Sequence, residues 1–522
     1  MAVPTYTTDL TPISACDALG TWVEPTATGW LGGAVPGLDA ENFIQGTGAI
    51  SKAFNAALVG GMIFNYASGI SIPSGNAFFL WVYWASPKTI ASEANGGLRA
   101  ICGDLINAFK AWTLGGNDTY IYGGWESYAI DPNLTADFTA GSPTGVWQWF
   151  GFCVNNLDAI TKGNPMLTDM YRYGRGEMRI NGGEAANYAT FPGFAAQNDN
   201  SSNRWGLFRA IPGGYSWKGL MTLGYTSLVD FRDSDRNIVI ENTKKVVSTF
   251  NKIEIRQATS RVDWTRINIV ALGTVSRGDL EVIDNADVNL NTCVFTDMNT
   301  FIFLSGTAAL NCTFRRCSTI TAPGCNLTGS TVDSSTVAAD TSAVVWNVAT
   351  DPSGLMDDMT FTKGTNAHHA IEFGISSPTT LNLSGITFSG FNASNALNDS
   401  ALHIMRTTGT VTVNASGCTG AISYKSAGAT VNVVSTVNLT LTGLISLSDI
   451  VILNAGTSTE RVNVNENVGT TYIYGYTYVV DDRIDIGVFK AGYVPLYVRN
   501  FLLAATNTSL PIAQEIDRYY LE

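Results

Sequence analysis

Apolar side chains alternate with Thr, Asn and Ser through three successive phrases, Val288-Asn-Leu-Asn-Thr-Cys-Val-Phe295, Ala309-Leu-Asn-Cys-Thr-Phe314 and Cys325-Asn-Leu-Thr-Gly-Ser-Thr-Val332. Each phrase predicts a short strand. Phe295 and Phe314 lie nineteen residues apart, and Phe314 and Val332 eighteen. That period predicts a solenoid in which each turn lays one strand on the last, with like residues stacked and Cys293 and Cys312 inside. Aliphatic residues alternate in the same way at Asn237-Ile-Val-Ile-Glu241, Lys252-Ile-Glu-Ile-Arg256 and Ile267-Asn-Ile-Val-Ala271, and wider-spaced phrases follow at Phe361 and Phe388. The intervals of twenty-nine and twenty-seven residues up to those two phenylalanines imply longer loops on some turns. The expectation is a parallel β-helix trunk over 236–440, right-handed by the crossover rule.

The flanks follow other patterns. Residues 1–185 carry aromatic runs such as Phe78-Phe-Leu-Trp-Val-Tyr-Trp84 and Val146-Trp-Gln-Trp-Phe-Gly-Phe-Cys-Val154, punctuated by Gly, Asn, Pro and Asp. Period-two alternation with regular turns predicts a jelly-roll sandwich. Residues 186–235 read as a bridge that caps the open end of the solenoid, which would otherwise expose strand edges. Its Gly-flanked Trp205 and Trp217, with Trp147 upstream, are the candidates for stacking on a glycan ring. From 441 to 522 the strands Thr471-Tyr-Ile-Tyr-Gly-Tyr-Thr-Tyr478 and Arg483-Ile-Asp-Ile-Gly-Val-Phe489 predict a small C-terminal sandwich of immunoglobulin-like size. The fold class expected is therefore all-β throughout.

Composition narrows the function. A chain of 522 residues predicts two to four domains. Charged residues make up only 14% and the net charge is −13, which argues against nucleic acid as a partner. The 8 cysteines show no C-x-x-C pair and read as reduced interior thiols, and with 3 His neither a metal site nor any cofactor is expected. The opening Met1-Ala-Val-Pro-Thr lacks signal-peptide regions, and the longest apolar run, at 77–85, is too short to span a bilayer. Synthesis in a cytoplasm without membrane insertion is the expectation.

Candidate chemistry is sparse. Asp333, Asp340, Asp351, Asp357 and Asp358 could supply the two carboxylates of a glycosidase, but their surroundings are Thr- and Ser-rich and they read better as solvated turns. His368 and His369, as strand neighbours, are expected to point to opposite faces, with a hydrogen-bonded buried histidine favoured over a metal pair. The basic residues Lys244, Lys245, Lys252, Arg256, Arg261 and Arg266 stand out in an acidic chain. Lys244, Lys245 and Arg256 are candidates for a subunit interface. So is the row formed by Tyr472, Tyr474, Tyr476 and Tyr478, which parity places on one face of a strand.

The phrases Glu41-Asn-Phe-Ile-Gln-Gly-Thr-Gly-Ala-Ile-Ser-Lys52 and Thr168-Asp-Met-Tyr-Arg-Tyr-Gly-Arg-Gly176 resemble the concanavalin A-like jelly rolls at the front of bacteriophage virion proteins. Asn203-Arg-Trp-Gly-Leu-Phe-Arg209, Val229-Asp-Phe-Arg-Asp-Ser-Asp-Arg-Asn237 and Ser260-Arg-Val-Asp-Trp264 are similar to the continuation in structural proteins of tailed phages, and Pro511-Ile-Ala-Gln-Glu-Ile-Asp-Arg-Tyr-Tyr520 to the ending of their terminal modules. The resemblance implies a tailed-phage virion protein; with no catalytic constellation in the sequence, the expectation is a non-enzymatic fibre, spike or capsid decoration, homotrimeric by analogy to phage β-helices, in contact with other virion proteins and with host surface carbohydrate as a further candidate partner. The alternative it leaves open is a tailspike depolymerase that cleaves host polysaccharide.

Overall fold

The computed structural model describes residues 3–518, apart from 26–34, 54–59, 85–97, 116–123, 155–164, 185, 201, 242–245, 273–276, 421, 478–481 and 505–506. The chain is all-β, with a single α-helix among the described residues, and divides into two compact units, Met1–Ala308 and Ala309–Glu522.

The first unit begins with two antiparallel sheets face to face. One orders the strands Gly37–Asp39, Ala49–Ala53, Pro165–Gly174, Ala77–Trp84 and Gly124–Ile130, and Thr11–Ser14 also pairs with Pro165–Gly174. The other orders Phe138–Ala140, Ala108–Gly115, Leu98–Leu105, Trp147–Val154 and Gly60–Ile70. Between them Phe64, Phe78, Trp112, Phe150, Phe152 and Tyr171 form one core. The strand Trp147–Val154, paired on both edges, is apolar at both parities, and both sides are used. Phe150 and Phe152 enter that core, while Cys153 joins Ile63, Ile101 and Phe109 in a second cluster.

Parallel pairing starts at Glu177–Asn181, well before the expected position 236. That strand pairs with Leu220–Leu223, which pairs with Lys252–Ile255 and then Asp279–Val282. A second ladder runs Gly214–Trp217, Asp230–Ile240, Arg261–Ala271. The stretch expected to be a bridge thus already contains coil strands. Its capping element is the helix Phe191–Asn198, which starts because the Thr190 hydroxyl accepts the Gly193 N–H at 3.1 Å and Pro192 fits the first turn. The Phe191 ring packs on Phe208, Phe231 and Trp264, with centroids 5.8, 4.8 and 5.2 Å away. Thr5–Thr8 adds antiparallel to Glu177–Asn181 and so covers the terminal edge of the first ladder.

A buried cation is among the ties between the sandwich and these coils. Lys218, 1% exposed, donates to the Ser127 carbonyl at 2.6 Å and to its hydroxyl at 2.9 Å, and pairs with Glu241 at 2.5 Å. Burial pushes the Lys218 ammonium down from its ordinary range. Burial would push Glu241 up, but Lys218 and Arg209 outweigh it and hold the carboxyl low.

In the second unit the coils have three strand faces. Phe314, Val332, Phe361 and Phe388 stand in direct parallel register on Thr313–Arg315, Thr331–Asp333, Thr360–Thr362 and Thr387–Ser389. Ile320–Thr321, Ser342–Trp346, His369–Phe373, Leu402–Ile404 and Tyr424–Ser426 form the second face. The third is Thr380–Ser384, Thr410–Ser416 and Thr430–Thr442. On it the Asn414 amide donates to Asn382 Oδ1 at 2.7 Å, a polar rung between turns.

Thr430–Thr442 does not stop at the last coil. Residues 430–436 pair parallel with Thr410–Ser416, and residues 436–442 pair antiparallel with Thr471–Thr477. The same strand therefore opens the terminal module. Its second sheet orders Glu460–Asn467, Ser448–Asn454, Arg483–Phe489 and Leu496–Leu502. Leu439, Leu441, Ile450, Ile452, Ile484, Ile486 and Val488 fill the space between the sheets.

Candidate functional site

Burial removes Trp147, Trp217, Tyr474 and Tyr476 from the residues that the sequence offers for contact. Trp147 is 2% exposed inside the sandwich core, and Trp217 is fully buried with its indole N–H donated to the Gly219 carbonyl at 3.0 Å. Neither presents a ring face to a glycan; the Gly-flanked pattern marks close packing. Trp205 is half-buried, its backbone N–H bonded to the Asn198 carbonyl at 3.0 Å beside the capping helix.

The tyrosine row is corrected in the same way. Its parity is right but its face is the inner one: Tyr474 and Tyr476 belong to the module's own core, and the exposed neighbour is Ile473, at 60%. Tyr472 packs on that core half-buried, and Tyr476 donates its hydroxyl to the Ala504 carbonyl at 2.7 Å. Arg256 is neutralised within the chain, donating twice to Glu254 at 2.9 and 2.6 Å, so it brings no spare charge to a partner. Arg261 and Arg266 pair likewise with Asp263 and Asp235. Lys244, Lys245 and Tyr478 lie outside the described residues.

The acids on the coils build turns. Asp333 accepts the Ser335 N–H at 3.1 Å, Asp351 accepts those of Asn382 and Ser353, and Asp357 that of Gly354. Asp340 and Asp358 sit at corners with positive φ, where Asp is better tolerated than most residues. The two adjacent histidines do not split between faces, because strand alternation begins only at His369 and His368 precedes it at the corner. Both are buried. His368 Nε2 lies 2.9 Å from the Ser334 hydroxyl, and His369 Nδ1 lies 2.6 Å from the Ser400 carbonyl. Burial pushes both imidazoles below their ordinary pKa.

A different place gathers chemistry. On the second sheet of the terminal module, even-numbered residues of Arg483–Phe489 face the core, so the odd-numbered ones face out. Across that outer face Val451, Gly487 and Tyr497 stand side by side in register on three adjacent strands. Because Gly487 has no side chain, a neighbouring ring can lie over the middle of the row. A Cβ there would meet the Phe489 ring at 2.8 Å, so the ring lies over the glycine as a floor. Tyr497, 57% exposed, stands at 80° to Phe489 with centroids 5.5 Å apart, a floor and a wall of two aromatic rings.

Polar groups ring this corner. Val451, Leu453, Asp485, Arg499 and the turn Gly456, Thr457 and Ser458 complete a cavity of about 440 Å³. Asp485 fixes the turn: one carboxylate oxygen accepts the Gly456 N–H at 3.0 Å and the other the Asn500 N–H at 2.6 Å. Those two bonds hold its carboxyl below the usual range. The Arg499 guanidinium lies 6.0 Å from the Tyr497 centroid. The parity of Asp485, Gly487 and Phe489 is visible in the sequence, but the cavity depends on which strands lie beside them.

No protein-family model matches the chain, and no curated protein matches it. Among solved structures it is similar to the catalytic unit of a thermostable GH87 alpha-1,3-glucanase from Streptomyces thermodiastaticus, at 12% identity over 80% of this chain and 96% of that one. The TM-score is 0.17, and at that value the likeness carries no argument.

Proposed function

We propose that the chain is a non-enzymatic structural protein of a tailed-phage particle, an external appendage or decoration that holds a terminal binding module out on β-helical coils. One observation carries the reading. The strand Thr430–Thr442 belongs to the last coil and to the terminal sandwich at once, so no linker separates spacer from module. A continuous strand fixes the orientation of what it carries, which suits presentation and multivalent attachment. The phage assignment is supported by the sequence phrases of the first domain and of the chain's end.

In this reading copies of the chain associate, as a trimer, contact other virion proteins, and bring several modules to one host surface. Mass spectrometry of purified particles together with sedimentation of the isolated chain tests it. Presence in the particle and a homotrimer are expected; a stable monomer absent from particles overturns the proposal. Incubation with host polysaccharide is expected to release no new reducing ends, and their appearance would replace attachment by cleavage.

A further inference from the structure

We propose that the aromatic corner on the outer face of the terminal module is a binding site for an uncharged oligosaccharide. The inference deepens the attachment reading by naming the ligand class and the residues that meet it.

The lining decides the class. A pyranose has one face of C–H groups and a rim of hydroxyls. Phe489 offers a flat ring as floor and Tyr497 an upright ring as wall, at 80° to each other, which matches the apolar face of one sugar unit and the side of the next. Around them stand a donor, the guanidinium of Arg499, an acceptor, the carboxylate of Asp485, and the Ser458 hydroxyl, which can do both. Each Asp485 oxygen already accepts one backbone N–H and retains lone-pair capacity for a sugar hydroxyl.

Charge and size exclude other occupants. Arg499 and Asp485 are the charged residues of the lining and carry opposite charges, so the cavity has no net charge to attract an anion or a cation. Its volume of about 440 Å³ lies in the small-ligand range and far from the extended surface a protein partner needs. The corner sits on the face of Arg483–Phe489, which is paired on both sides by Ser448–Asn454 and Leu496–Leu502. The backbone under the corner is therefore already paired and cannot take an added peptide strand.

Gly487 is a second mark of the site. Glycine in the interior of a paired strand weakens the strand and often marks a place where another group comes close. Here any larger side chain would displace the Phe489 ring and fill the corner.

Calorimetric titration of the full purified chain with maltotriose, lactose, chitotriose and mannotriose tests the assignment. Binding of at least one of these is expected, weakened about tenfold or more by Tyr497→Ala and retained by Tyr497→Phe, with unchanged melting because Tyr497 is exposed. Gly487→Val is expected to abolish binding; because that variant risks the fold, the decisive comparison rests on Tyr497. Absence of binding to all four sugars overturns the proposal, as does binding indifferent to Tyr497→Ala. Concentration-dependent self-association lost in Tyr497→Ala, with no sugar bound, would assign the corner to a second copy instead. The titration needs no particle, so its failure is separate from absence of the chain from particles.

Discussion

The two sandwiches of this chain treat the outer faces of their sheets in opposite ways. In the first, Trp147–Val154 is apolar at both parities, and its two sides enter two separate clusters, one of them the main aromatic core. In the terminal module Arg483–Phe489 puts Ile484, Ile486 and Val488 inward and leaves Asp485, Gly487 and Phe489 outward. A sheet loaded on both sides is sealed and serves stability. A sheet loaded on one side keeps the other for contact. Aromatic content alone therefore misleads: the chain's 12 Trp all lie before residue 347, while the aromatic ring standing in an open corner is a tyrosine.

The comparison breaks first at Phe150. Its ring is fully buried between the two sheets of the first sandwich, so Phe150→Ala is expected to cost about 3–5 kcal/mol. Urea denaturation followed by tryptophan fluorescence reads this, and a loss below about 1 kcal/mol would mean the core is not closed. Next comes Asp169, fully buried, whose Oδ2 accepts the Ile44 and Gln45 N–H groups at 2.8 and 3.3 Å while Oδ1 has no partner. Burial pushes its carboxyl up to about 7.

A raised carboxyl pKa means that the fold holds a proton the unfolded chain has released. This group's contribution is thus fully present below about pH 4 and is lost as pH rises to about 7, a swing on the order of 4 kcal/mol. Asp169→Asn keeps the acceptor oxygen and is expected to flatten that fall, measured as the shift of the fluorescence midpoint between pH 4 and 8. An unchanged slope in the variant would assign the dependence elsewhere.

The terminal module responds more weakly and in the opposite direction. Leu441→Ala is expected to cost about 2–4 kcal/mol, read by hydrogen exchange in residues 436–517. The smallest effect belongs to Arg461, which holds Asp482 through two bonds at the module's surface and pulls its carboxyl below the ordinary range. Arg461→Ala is expected to cost roughly 0.5–1 kcal/mol at pH 7. A depressed carboxyl gives stability above its unfolded pKa, so the difference between wild type and variant should vanish as pH falls below about 4. A difference that persists at pH 2 would show that the arginine acts through its bond to the Asn454 Oδ1 or by packing and not through the Asp482 charge.

Much of the fold is legible in local pattern. The rungs Phe314, Val332, Phe361 and Phe388 can be read from spacing because each interior position needs an apolar residue and loops absorb the difference. The terminal strands are legible from alternation. The start of the coils at Glu177 is not, because Glu177–Asn181 and Leu220–Leu223 are short and lie between Gly-rich turns that resemble a bridge. Site residues were harder. Tyr474 and Tyr476 have the predicted parity, but parity does not say which face is inside. The corner at Gly487 exists only once Val451 and Tyr497 are brought beside it, and register between strands distant in sequence is set by the whole sandwich.

The unbroken strand Thr430–Thr442 also has a mechanical meaning. Tension applied to the terminal module along that strand loads its seven paired positions with Thr410–Ser416 in shear. Hydrogen bonds sheared together share the load, whereas bonds peeled from one end fail in turn. A module attached in this way transmits a pull into the coil beneath it.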